Sequence, residues 1–156
     1  MLGLALAILG ASLSVALAGI GSVIGVGKSG QAGTGLISEE PEKFGKVLLL
    51  QALPSTQGIY GFIGGFWVII KLNLLTGEIP DISWSIGLAI FLACLPIALT
   101  GLFSGIFQGK VSVSGMNVVS KQVQDSGKAV IMSAMVETYA VLGLLATILL
   151  IQGIPI

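Results

Sequence analysis

The sequence predicts an all-α membrane protein of four transmembrane helices, laid out as two tandem hairpins that assemble into a homo-oligomeric ring. Three observations predict it. Apolar residues make up 54% of the chain and charged residues only 9%, with a mean hydropathy of +1.05. A soluble domain carries about 25% charged residues. Free or nearly free of charge, the windows Met1 to Gly27, Val47 to Ile70, Ile82 to Gly109 and Ala129 to Ile156 each exceed the roughly 20 residues that cross a bilayer core. Finally, the chain repeats itself. A shift of 82 residues aligns Gly19, Ser22, Gly27, Lys28 and Gly33 with Gly101, Ser104, Gly109, Lys110 and Gly115, and Gly45 and Lys46 with Gly127 and Lys128, so one hairpin has been duplicated.

The first window has no basic segment before it and no obvious stop, and it shares its Gly-rich pattern with the third. It therefore reads as a permanent helix, not a cleaved signal peptide. Polar turns are expected near Ser38 to Lys43 and Ser120 to Asp125. The connection Lys71 to Asp81, with Gly77 and Pro80, joins the two copies at the opposite membrane face. The layout is thus 1–72 for the first hairpin, 73–81 for an outer linker and 82–156 for the second hairpin.

Lys28, Lys43, Lys46, Lys110, Lys121 and Lys128 belong to the hairpin turns, and Lys71 alone to the linker side. The positive-inside rule then places both turns in the cytoplasm and both termini outside the cell membrane. Trp67 and Trp84 flank the linker, as expected of an aromatic belt at the outer interface. Gly21 and Gly25 in the first helix, with Gly101, Gly105 and Gly109 in the third, have the spacing that lets membrane helices approach backbone to backbone. Because these glycines run along nearly the whole of both helices, contacts between the members of a ring are expected in addition to packing within one chain.

Several function classes fall away. Net charge is zero and no His, Arg or basic run is present, which excludes a nucleic-acid surface. Cys94 is the single cysteine, so no intrachain disulfide is possible, and it reads as a small packing residue. The segment Ser22 to Ser29 nearly matches a phosphate-binding loop, but Ser22 replaces its first glycine and no strand precedes it. A passive channel would need a continuous polar lining, whereas the polar residues here gather in one layer.

That layer carries the chemistry. Glu137 is the one acidic or basic side chain after Lys128, and a charge in mid-membrane costs at least about 2.5 kcal/mol unless it is neutralised or used. Among the spans no Lys or Arg is placed to pair with it, which leaves a proton, a metal cation or a group from another subunit. Glu137 lies nine residues past Lys128, Gln57 eleven past Lys46 and Gln108 thirteen before Lys121, all about 13 to 20 Å from the turn face. Pro54 removes an amide hydrogen from the second helix and loosens the backbone there. Thr56, Gln57 and Tyr60 are spaced to line adjoining parts of one face, and the Tyr60 hydroxyl can donate to a carboxylate. One carboxylate among neutral oxygens suits a monovalent hard cation better than Ca²⁺ or Zn²⁺. Only the second copy carries the carboxylate, which means one ion per chain. Proton carriage by the same Glu137 is the alternative.

The segments Leu53-Pro-Ser-Thr-Gln-Gly-Ile-Tyr60-Gly-Phe62, Phe107-Gln108-Gly109-Lys110 and Met135-Val-Glu137-Thr-Tyr-Ala140, set in a duplicated Gly-rich hairpin, resemble the proteolipid, or rotor-ring, subunits of V-type rotary ATPases. The resemblance covers the whole chain and is nearest the sodium-translocating bacterial branch. It implies a Na⁺ ligand set of Glu137, Thr56, Gln57, Gln108 and the Leu53 carbonyl, with Tyr60 bonded to the carboxylate. It further implies identical subunits in a membrane ring, a stator subunit with a membrane Arg, a central-stalk subunit at the cytoplasmic turns, and surrounding lipid. The chain has no catalytic constellation of its own, so ATP hydrolysis would fall to other subunits.

Overall fold

The computed structural model describes residues 1–77 and 80–156. Its elements are α1 (Leu2–Glu39), α2 (Phe44–Ala52), α3 (Thr56–Lys71), α4 (Trp84–Lys121) and α5 (Ser126–Gly153), with short 3-10 turns at Pro41–Lys43, Leu53–Ser55 and Val123–Asp125. In hydrocarbon every backbone N–H and C=O must be satisfied within the segment. That requirement holds even the Gly-rich α1 and α4 in helical form, although glycine is among the poorest helix formers in water.

Three helical stretches, Leu2–Glu39, Trp84–Lys121 and Val123–Gly153, are long and apolar enough to cross a membrane unbroken. The fourth span is α2 and α3 in series. Between them the backbone stays right-handed, with Leu53 at φ −52°, ψ −49° and Ser55 at φ −80°, ψ −21°. Pro54 narrows the helix to a 3-10 turn without ending it, because its missing amide hydrogen breaks the regular ladder. The result is an all-α, multi-pass membrane protein of four spans.

The duplication is visible in the backbone. Glu40 has φ −133°, ψ 73° and its repeat mate Gln122 has φ −145°, ψ 74°. Each ends its long helix at the start of a polar turn, and each passes its N–H back to the carbonyl four residues earlier, Leu36 or Val118. Both expected turns therefore form. At the other end, Asn73 and Gly77 take positive φ of 50° and 79°, and Ser83 caps α4 by accepting the Ile86 N–H at 3.3 Å. The linker expected over 73–81 includes residues 78 and 79, which lie outside the described residues.

α1 and α4 form the closest pair. A Cβ built on Gly105 would stand 2.6 Å from the Gly21 carbonyl carbon, and one on Gly10 would stand 2.7 Å from the Phe91 Cα. Gly25 and Gly109 meet in the same way. The glycines expected to serve contacts between ring members are thus taken up by one crossing within the chain, because the duplicated helices are each other's partners. Open space surrounds Gly19 and Gly27, which point elsewhere. The two hairpins consequently share one interior.

That interior has two apolar clusters. Toward the termini, Val68, Leu72, Ile90, Cys94 and Ile151 pack together, with Cys94 a buried free thiol as expected of a packing residue. Toward the turns, Val47, Leu50, Met116 and Val119 do so. Trp84 is exposed at the start of α4, whereas Trp67 leans against the terminal-end cluster and is only half-buried. The two turns are tied by Lys43, a buried lysine whose ammonium donates to the Ser120 carbonyl at 2.7 Å and pairs with Glu40.

Candidate ion-binding site

Between the two apolar clusters lies a polar layer, and all six residues singled out in the sequence meet in it. The layer starts at the Pro54 turn. Pro54 has no N–H to offer the previous helical turn, and the Leu53 carbonyl instead accepts the Thr56 N–H and, at 3.0 Å, the Thr56 hydroxyl. The Thr56 hydroxyl also lies 3.5 Å from the Gln57 Oε1. Gln57 Nε2 donates to Gln108 Oε1 at 2.5 Å. Gln108 Nε2 in turn donates to the Ser133 carbonyl at 3.2 Å and reaches Glu137 Oε2 at 3.5 Å. On the other carboxylate oxygen, Tyr60 donates its hydroxyl to Glu137 Oε1 at 2.5 Å. A continuous string of polar contacts therefore joins Leu53, Thr56, Gln57, Gln108, Glu137 and Tyr60 across α3, α4 and α5.

Burial divides these groups by role. Gln57 and Gln108 are fully buried, so each amide must find partners inside the protein. Glu137, Tyr60 and Thr56 are half-buried. Glu137 opens toward an apolar groove on the outer side of α5, lined by Ala134, Thr138, Val141 and Leu142. One carboxylate at the apolar surface, backed by two buried amides, a hydroxyl and a carbonyl, is a set of hard oxygen donors bearing a single negative charge. Among the described residues, no three His, Cys, Asp or Glu side chains gather in a metal-binding group. The chemistry fits a monovalent cation, or a proton on Glu137.

Supporting groups that the spacing argument did not name surround the layer. Ser22 of α1 donates to the Pro54 carbonyl at 2.6 Å, pinning the loosened turn against the α1–α4 pair. Ser112 and Ser133 share a hydrogen bond of 2.8 Å beneath Gln108. Ser133 sits four residues before Glu137, one turn along the same face, which is the sequence signal for it. Nothing local in the sequence points to Ser22, whose partner is 32 residues away. Ser55 donates its hydroxyl to the Ala52 carbonyl at 2.6 Å, is exposed, and stays out of the string.

Comparison with known proteins agrees with this architecture. The chain is 45% identical over 149 residues, covering 96% of itself and 92% of the relative, to the V-type sodium ATPase subunit K of Enterococcus hirae. It is 39% identical over 151 residues to the A-type ATP synthase subunit K of Methanocaldococcus jannaschii, covering 97% of itself and 64% of that longer protein. The family model for the C subunit of ATP synthase matches twice, over residues 9–68 and 91–150, one match in each hairpin and in the register of the internal repeat. With both copies matched, and with relatives this similar along nearly its full length, the chain belongs to the family of ATP synthase C subunits.

Proposed function

We propose that this chain is a rotor-ring subunit of a V-type rotary ATPase and that each copy carries one Na⁺ across the membrane, held at Glu137. Family membership makes it a non-catalytic proteolipid of a multi-subunit rotary ATPase. The observation that carries the ion reading is the string from Leu53 to Tyr60. Five groups supply oxygen: the Glu137 carboxylate, the Gln57 and Gln108 amides, the Thr56 hydroxyl and the Leu53 carbonyl, all in one layer of one chain. The sodium ATPase named among the relatives supports Na⁺ over H⁺ as the cargo.

The residues divide the work. Glu137 supplies the charge, and Tyr60 orients it by holding Oε1. Gln57 and Gln108 place amide groups that can turn an oxygen toward a cation. Thr56 and the Pro54 turn present a hydroxyl and a carbonyl from a stretch where the helix ladder is already open. Hydrocarbon does not tolerate a bare carboxylate, so a loaded Glu137 can travel past lipid and an empty one cannot. That asymmetry couples ring rotation to transport. Identical subunits would complete the ring, a stator Arg would displace the ion, and both turns would face the cytoplasm against the central stalk. The lysine bias toward the turns supports that orientation.

The test is the rate at which a hydrophobic carbodiimide modifies Glu137 in detergent-purified protein at fixed pH. Protection by millimolar Na⁺ and not by K⁺ is expected. A rate that responds to pH alone assigns Glu137 to protons and overturns the Na⁺ reading.

A further inference from the structure

α1 supplies none of the six residues of the polar layer, yet the one irregular turn of that layer is set against it. The pyrrolidine ring fixes φ of Pro54 at about −65°, and the peptide planes on either side of it are rigid. One soft torsion, the ψ of Pro54, is left to set the direction of the Leu53 carbonyl against that of the Pro54 carbonyl.

Ser22 acts on that torsion. From a buried position on α1 its hydroxyl donates to the Pro54 carbonyl at 2.6 Å. Glycines on both helices make the approach possible. A Cβ built on Gly25 would stand 2.7 Å from the Pro54 Cβ, and one built on Gly58 would stand 3.2 Å from the Ser22 hydroxyl. Pro54 is itself fully buried. With the Pro54 carbonyl held from α1, the Leu53 carbonyl has a fixed direction, and it is this carbonyl that accepts the Thr56 hydroxyl at 3.0 Å. Two of the five oxygen groups of the site therefore depend on a serine whose own hydrogen bond goes to neither.

The internal repeat contains the control. Ser104 of α4 is the repeat mate of Ser22, and Val136 of α5 is that of Pro54. Without a proline, α5 runs unbroken from Ser126 to Gly153. Ser104 and Val136 line the same cavity, but the Ser104 hydroxyl is buried with no hydrogen-bond partner among the described residues. Both hairpins have the serine, and the bond to the facing helix forms only where a proline turn stands opposite.

We infer that Ser22 is a positioning residue of the ion site: by fixing the Pro54 carbonyl from α1, it holds the Leu53 carbonyl and the Thr56 hydroxyl in place for a cation. The inference rests on the Na⁺ reading above and adds to it a residue from outside the ligand set. Its physical content is preorganisation, since a turn ordered before the ion arrives lowers the ordering cost of binding.

The experiment measures the Na⁺ concentration that halves carbodiimide modification of Glu137 in the detergent-purified full-length protein. The variants are Ser22→Ala, Ser104→Ala, Pro54→Ala and the Ser22→Ala, Pro54→Ala pair. One neutral hydrogen bond corresponds to about a fivefold change in an equilibrium, so Ser22→Ala should need about fivefold more Na⁺ than wild type. Its modification rate without Na⁺ should equal that of wild type, because Tyr60 and Gln108 still hold the carboxylate. Ser104→Ala should match wild type in both measurements. In the Pro54→Ala background Ser22→Ala should add nothing, since the turn it holds is gone. Effects that multiply in the pair mean that Ser22 acts elsewhere, and they overturn the inference. An unaltered Na⁺ requirement in Ser22→Ala overturns it too, and a drop in thermal stability alongside would mark a purely structural serine. An equal rise in Ser104→Ala has the same consequence. Absence of Na⁺ protection in wild type is a different failure: it overturns the Na⁺ reading itself, and this inference falls with it.

Discussion

Tyr60 and Glu137 stand 77 positions apart in the chain, on α3 and α5, and the phenol donates to one carboxylate oxygen at 2.5 Å while Gln108 approaches the other at 3.5 Å. Both oxygens are thereby held by neutral donors. Among the described residues the carboxylate is oriented without a positive partner.

Tyr60→Phe removes the donor and keeps the ring. A hydrogen bond to a charged group contributes about 1.5 to 3 kcal/mol, so the Na⁺ affinity read from carbodiimide protection should fall by about tenfold or more. Assembly in detergent should be unchanged. Equal protection in mutant and wild type would remove Tyr60 from the site.

Glu137→Gln keeps the size and one acceptor oxygen for the Tyr60 hydroxyl, and removes the charge. Labelled Na⁺ uptake by the reconstituted enzyme should be abolished, with the subunit still inserted and assembled, since an amide is cheaper than a carboxylate in the membrane. Persistent uptake would mean that the ion is carried elsewhere.

Pro54→Ala restores an amide hydrogen in the middle of the second span. The Leu53–Ser55 turn should relax toward a continuous helix, raising helical stability, while the Leu53 carbonyl and Thr56 hydroxyl lose their present placement. The two readouts should move in opposite directions: higher thermal stability and several-fold weaker Na⁺ protection.

Gly105→Val should cost about 1 to 3 kcal/mol or block folding, because even its Cβ would sit 2.6 Å from the Gly21 backbone. Gly27→Ala, with nothing within 4 Å of the added carbon, should be neutral in the same denaturation assay. Comparable losses at both positions would contradict the α1–α4 crossing.

Lys43→Met should weaken the junction of the two turns by about 1 to 3 kcal/mol, through the Ser120 carbonyl left without its donor. Faster proteolysis at both turns, with unaltered Na⁺ protection, is the expected pattern.

Much of this was legible in the chain because lipid makes the rules strict. Charge-free windows of sufficient length must be helices, and an isolated Glu137 among them must be neutralised, paired or used. Counting along helices from the turns placed Gln57, Gln108 and Glu137 in one layer, and a rise of about 1.5 Å per residue makes such a count reliable over short distances. Ser22 and Lys43 were not legible, since each meets a backbone carbonyl far away in sequence, and a carbonyl carries no residue-specific signal.

By itself the sequence determined the class of the molecule: its four spans, its duplication, the single carboxylate and the residues able to surround it, all of which follow from periodicity, hydropathy and depth. Only the tertiary structure decided who meets whom. It spent the crossing glycines on α1 against α4 within one chain, turned Tyr60 onto Glu137, and set Ser22 on the Pro54 carbonyl. Hydropathy determines how deep a residue lies, but the azimuth of one helix against another comes from close packing of side chains across the crossing, and no count along a single helix contains it.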